Sequence, residues 1–223
     1  MASRRSLVKV DRDLPLHDAA LFGCAVLTGV GAVVNTAGVR AGQSVAVVGL
    51  GGVGLAAVLG GLAAGAARVV AVDPSPQKLA LATALGATSA VQAGDDAVEA
   101  VRALTEGGCD VVLEMAGSVR ALESAVAMTR RGGVTVTAGL PPPDAALALN
   151  IVSLVADERT LKGSYIGTCV PARDLPRYVS LFRAGRLPVD GLVSGHLRLG
   201  DINEGFDALH AGRAVRQIVR FDA

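Results

Sequence analysis

The sequence predicts an α/β protein built on a doubly wound parallel sheet, and three observations carry that prediction. Apolar, strand-like runs alternate with helical patterns from Val45 to Ile166. Strands joined through helices need crossover connections, and crossovers make a sheet parallel. The run Val45–Val48 leads straight into Gly49, Gly51 and Gly54, which fall in G-x-G-x-x-G spacing ahead of a helical pattern. A second strand then ends in Asp73, nineteen residues after Gly54. Strand, glycine turn, helix, strand and acid in register are the arrangement that binds a dinucleotide.

Each part of that unit has a physical task. Gly49 makes the tight turn out of the strand. Gly51 lacks a side chain, so a pyrophosphate can approach the backbone. Gly54 lets the helix pack closely. The open N–H groups at the helix start, around Gly52 and Val53, then face negative charge. Asp73 can accept hydrogen bonds from both ribose hydroxyls, and its carboxylate repels a 2′-phosphate, which favours NAD over NADP. A methyltransferase also uses a glycine-rich first turn and an acid ending the second strand, so the motif alone leaves that alternative open.

The remaining elements follow in order. Ser6–Val10 alternates and suggests a strand. His17 to Ala37 is small and apolar, and reads as one or two helices. A turn at Gly38–Gln43 leads into the first sheet strand. The helix after the glycines covers about 53–66, and Arg68–Val72 is the second strand. Pro74, Ser75 and Pro76 open the next helix, with proline where its missing N–H costs nothing, and Gly86 caps it. Ser89–Gln92 is a short third strand. Asp95 to Leu104 is an amphipathic helix with Ala97, Val98, Val101 and Leu104 on one side. Asp110–Met115, Val119–Met128 and Val134–Ala138 read as strand, helix and strand, ended by Leu140–Pro143. Ile151–Ala156 is a short helix and Thr160–Ile166 a sixth strand. Beyond Gly167 the rhythm changes: helix at Leu175–Arg183, strand at His196–Leu199, helix at Ile202–Ala211 and strand at Val215–Phe221. That tail reads as part of another domain.

Composition narrows the function classes. A chain of 223 residues can bury a sizeable core. Its net charge of +1 gives no electrostatic footprint for nucleic acid or an anionic membrane. Two uncharged stretches, Val45 to Ala67 and Ala19 to Val39, are long enough to span a bilayer. Central parallel strands and their covering helices have the same hydropathy, and the glycines favour that reading over a membrane one. Cys24, Cys109 and Cys169 are an odd number, far apart, and suggest no disulfide framework; a reducing cytoplasm fits. No apolar secretory segment follows Arg4 and Arg5. His17, His196 and His210 have no ligand spacing. Glu114 ends the fourth strand on the cofactor side, either as a cofactor contact or as a hydrogen-bonded carboxylate.

With these residues in place, the chain resembles the zinc-dependent medium-chain alcohol dehydrogenases over nearly all its length. Phe22–Val33, Val47–Gly54, Val70–Thr88, Gly139–Pro143 and Leu161–Gly167 look like that family in order and spacing. The resemblance implies a Rossmann domain with a six-stranded sheet, over 27–166. It also implies that 1–26 and the tail 167–223 belong to an incomplete GroES-like catalytic domain. By the same resemblance Cys24 matches a catalytic zinc ligand, and Thr28 and Val53 line the nicotinamide side. Lys78 touches the adenosine ribose, and Arg216 meets the pyrophosphate. Leu140 and Tyr165 offer backbone groups near the nicotinamide amide. The family's upstream region, with its G-H-E histidine, further cysteines and proton relay, is not in this sequence, and the chain is read as truncated. One thiolate cannot hold a catalytic zinc, which needs three protein ligands and an open position. The implied function is NAD-linked hydride transfer with an alcohol or aldehyde, and simple alcohol oxidation is not separated from thiol-linked formaldehyde oxidation. A non-catalytic NAD-binding remnant is the alternative. The family pairs its last Rossmann strand across a two-fold axis, so a homodimer through Leu161–Tyr165 is expected.

Overall fold

A computed structural model describes residues 7–221. Six strands form one parallel sheet: β1 (Ser44–Val48), β2 (Arg68–Asp73), β3 (Ser89–Gln92), β4 (Cys109–Glu114), β5 (Thr129–Thr137) and β6 (Thr160–Gly163). Their order is β3-β2-β1-β4-β5-β6. The order reverses between β1 and β4, and this is the switch point of a Rossmann-like sheet. Register then aligns the carboxyl ends. Val48 pairs with Val72 on one side and Glu114 on the other; Glu114 pairs with Thr137, and Thr137 with Gly163. Everything that follows those strands therefore emerges along one edge.

Both faces of the central strands are covered, which is why the interiors of β1, β2 and β4 are continuous apolar runs rather than alternating with polar residues. Val45, Val47, Val69, Ala71, Leu113 and Val136 face a core shared with Phe22, Val30, Leu55, Leu59 and Val179. Ala46, Val48, Val70, Val72 and Val112 face the opposite core with Ala97, Val101, Ala125 and Met128. The two sets alternate along each strand with the period of two that a pleat imposes.

The apolar segment before the sheet is a single helix, Leu16–Ala37, and 56% of its most apolar window is buried inside the protein. Two of its turns, Phe22–Val26 and Ala32–Ala37, are π-helical. It packs on the helix Gly52–Ala63 at backbone distance. A side chain at Gly29 would strike the Val53 carbonyl and come within 2.7 Å of the Ala57 nitrogen. One at Gly60 would sit 3.1 Å from the Val30 Cα. Its hydropathy is thus that of a core helix. The expected division at 26/27 falls inside this helix.

Local signals hold where their chemistry is local. Ser75 caps the helix Pro76–Ala84, Ser118 caps Val119–Met128, and Asn150 caps Ile151–Ala156. Gly86, at φ 107°, closes the end of its helix, with the Ala87 amide donating to the Ala82 carbonyl. The tail adds the helices Pro171–Arg183 and Ile202–His210 and a separate parallel pair, β7 (Gly195–Arg198) and β8 (Gln217–Arg220).

Three expectations need correction. Leu7–Val10 is irregular, and Ser6 lies outside the described residues. Alternation there meets no partner strand; Arg183 instead holds the turn that follows, through Asp11 and Asp13 at 2.8 and 2.7 Å. β6 stops at Gly163 rather than reaching Ile166, because the backbone turns left-handed at Ile166. The fifth strand begins earlier than expected, at Thr129, with a register shift opposite Cys109–Val111.

Candidate functional site

The glycine turn sits at the switch point, and its glycines differ in what they permit. Gly49 has φ +93°, and a Cβ there would come within 2.7 Å of the Ala116 nitrogen. Gly54 faces the Gly49 carbonyl so closely that any side chain would collide with it. Gly51 is the opposite case. It has ordinary extended backbone, φ −74° and ψ −173°, and an added Cβ would meet nothing within 4 Å. Its missing side chain leaves open space, not a packed contact. That space belongs to a cavity of about 540 Å³ bounded by Gly49, Gly51, Asp73, Lys78, Gly94 and Ser118.

Asp73 is only 4% exposed, yet it lines this cavity. Its Oδ2 accepts from the Leu50 N–H at 2.7 Å and its Oδ1 from the Ser75 N–H at 2.9 Å. The carboxylate therefore pins the glycine turn to the end of β2, and carboxylate oxygens retain further acceptor capacity. Lys78, in the first turn of the following helix, lies on the same wall.

Glu114 has the packing role that its sequence position left open. It is 1% exposed; Oε1 accepts from the Ala116 and Gly117 amides at 2.8 and 2.6 Å, and Oε2 from the Thr137 hydroxyl at 2.7 Å. It braces the loop after β4 against β5. Leu140 passes next to that loop, with its backbone nitrogen 3.1 Å from where a Gly117 Cβ would be.

Arg216, just before β8, reaches back to the helix start. A Cβ on Gly52 would lie 2.5 Å from its Nε, and that buried Nε has no hydrogen-bond partner. A cationic side chain with an unused donor thus stands beside the open N–H groups of Gly52–Ala63. Thr28 lies next to Gly29, the residue in contact with Val53. Cys24 is exposed one helical turn before Thr28. Tyr165 follows β6 and is 78% exposed.

The structure thus gathers Gly49, Gly51, Asp73 and Lys78 around one cavity, with Gly52, Val53, Gly54 and Arg216 at the helix start. Gly29, the residue after Thr28, packs on Val53, while Leu140 and Tyr165 follow the neighbouring strands β5 and β6. No three His, Cys, Asp or Glu side chains come together as a metal site among the described residues. Cys24 is a single donor, and the residues present do not fit zinc.

Fold and site define a class: a doubly wound α/β protein with a glycine-rich turn at the switch point of its sheet. The chain belongs to the zinc-binding dehydrogenase family, whose pattern matches residues 52–184. It is 39% identical to a geraniol dehydrogenase of Castellaniella defragrans over 223 residues, covering 99% of this chain and 60% of the relative. The solved alcohol dehydrogenase zinc-binding domain protein of Burkholderia ambifaria superposes with a TM-score of 0.93 at 35% identity, covering 97% of this chain and 58% of that one. The benzyl alcohol dehydrogenase of Acinetobacter calcoaceticus gives a TM-score of 0.91 at 30% identity, covering 95% and 59%. The chain therefore spans about 60% of the length of the curated relative.

Proposed function

We propose that this chain binds NAD along the carboxyl edge of its sheet and forms the cofactor part of an NAD-linked oxidoreductase acting on an alcohol or aldehyde. The observation that carries this is the open side of Gly51 on a cavity walled by Asp73. The amides at the start of Gly52–Ala63 and the Arg216 guanidinium would hold the pyrophosphate, at the positive end of the helix dipole. Asp73 would accept from the ribose hydroxyls and Lys78 would flank them. Thr28, Val53 and the backbone at Leu140 and Tyr165 would border the nicotinamide half. When bound, the nicotinamide ring supplies the hydride chemistry, and the protein supplies position and electrostatics.

Zinc does not enter this account, because Cys24 alone cannot hold it. Hydride transfer to substrate is assigned to this chain together with the portion of its relatives that it does not span. We keep the division into 1–26, 27–166 and 167–223, with the outer pieces belonging to the catalytic domain. Self-association through β6, whose residues are exposed, and a reducing cytoplasm, which suits three free cysteines, complete the reading.

Calorimetry with NAD and NADP tests it. NAD is expected to bind at least several-fold more tightly, and Asp73→Asn to narrow the difference. Equal affinity for both cofactors, or a ratio that Asp73→Asn leaves unchanged, would remove Asp73 from the site. Zinc-dependent alcohol turnover by this chain alone would show that Cys24 has partners beyond those assigned here.

A further inference from the structure

The backbone just beyond β6 is strained, and one hydroxyl joins its two ends. Ile166, Gly167 and Thr168 are all left-handed, at φ 48°, 64° and 52°. Ile and Thr are β-branched, and such residues avoid this region unless the surroundings over-determine it. The Thr36 hydroxyl lies 2.8 Å from the Ser164 hydroxyl and 2.8 Å from the Thr168 hydroxyl. It thus touches both feet of the arch from Ser164 to Thr168. Between them, Gly167 is buried against the Leu16–Ala37 helix; a side chain there would strike the Leu27 carbonyl and come within 2.6 Å of the Gly31 Cα. Asn35 adds a bond from its Nδ2 to the Gly167 carbonyl at 3.3 Å. Both Asn35 and Thr36 belong to the π turn Ala32–Ala37, a distortion that recurs at functional sites.

The place of the arch gives it a purpose. In an open parallel sheet a dinucleotide lies beyond the carboxyl ends on both sides of the switch point. The cavity at Asp73 runs from Asp73 and Lys78 after β2 across the glycine turn to Ala116 and Ser118 after β4. A ligand that continues past the cavity on the β4 side lies beyond β5 and β6, and β6 runs directly into the arch. The same helix that meets Gly167 at Gly31 meets the glycine-turn helix at Gly29, so arch and phosphate turn share one rigid support. We infer that Thr36 is a positioning residue for the nicotinamide half of the cofactor, holding the arch in the left-handed form that presents the Tyr165–Ile166 backbone to it. This inference rests on the NAD reading above and adds a residue that acts through the arch.

The test compares NAD with ADP-ribose, which lacks the nicotinamide. Calorimetry of Thr36→Val should show NAD weakened roughly five-fold, the scale of one hydroxyl hydrogen bond, with ADP-ribose changed less than about two-fold. Ser164→Ala, which loosens one foot only, should shift the same ratio in the same direction, and Thr36→Ser should restore it. A general loss of fold would weaken both ligands alike, so equal weakening, or no change in either, overturns the assignment. If the unaltered chain binds neither ligand, the cofactor reading itself fails, and this inference with it.

Discussion

Gly51 and Gly54 are three residues apart in one motif, yet substitution should separate stability from binding. In Gly54→Ala the new methyl group lies 2.9 Å from the Gly49 carbonyl carbon and closer still to its oxygen, and both are backbone atoms that cannot rotate away. Overpacking of this kind costs about 1–3 kcal/mol. In a chain of this size each kcal/mol lowers Tm by about 2–4 °C, so a fall of about 2–12 °C is expected. Gly51→Ala meets nothing within 4 Å and keeps an ordinary φ. It gains about 0.4–1 kcal/mol from a less flexible unfolded chain and loses about 0.5–1 kcal/mol because alanine is a poorer helix cap than glycine. Its Tm should therefore stay within about 2 °C of the parent. Its methyl group, however, would occupy the space assigned to the pyrophosphate. Losing one charge-assisted bond there costs about 1.5–3 kcal/mol, or about 10- to 100-fold in NAD affinity. Thermal unfolding and calorimetry on the two variants give four numbers. A Gly51→Ala protein that binds NAD as tightly as the parent would refute the argument, because the ligand would then lie somewhere other than against Gly51.

Two further outcomes test the electrostatics. The Arg173 guanidinium, with the Val170 amide and Arg177 in support, holds the Asp174 carboxyl below the usual carboxylate range despite its burial. Its folded pKa is thus lower than its unfolded one, so its stabilisation is complete above the ordinary value and is lost as pH falls through the folded value. Asp174→Asn should flatten the decline of Tm below about pH 4, and an unchanged acid limb would count against this role. Among the cysteines, burial pushes the Cys109 thiol up to about 11, a smaller lowering by Thr105 notwithstanding, whereas Cys24 is exposed. Iodoacetamide at pH 8, followed by mass spectrometry, should modify Cys24 while sparing Cys109 until the protein unfolds. Comparable rates at the two positions would show that the β4 end is open.

The sheet was legible because its signals are short-range. A buried parallel strand is a bounded apolar run, and a helix behind it has its own cap and period. Ser89–Gln92, Val119–Met128 and Ile151–Ala156 accordingly fall where the sequence places them. The glycine turn was legible for a related reason: its geometry is built within a few residues, and Gly49 and Gly54 constrain each other directly. The irregular Leu7–Val10 shows the limit of this kind of reading. Alternation says that a segment has two faces, but a strand also needs a neighbour with open hydrogen-bond groups, and that neighbour is a matter of topology.

The rest of the site was hidden because its partners are distant in sequence. Glu114 has the same position at a strand end as Asp73, and each carboxylate is spent on nearby amides. What separates them is that Glu114 also takes the Thr137 hydroxyl across the sheet, while Asp73 keeps a face on the cavity. Nothing local distinguishes the two acids. The contacts of Thr36 with Ser164 and Thr168 span 128 and 132 residues, and the residues themselves are ordinary threonines and a serine. Their meaning arises only when the left-handed Ile166 and Thr168 are seen, since an unfavourable backbone has to be held by something. The strain and the bond that offsets it belong to different parts of the chain, so neither predicts the other until the sheet has brought them together.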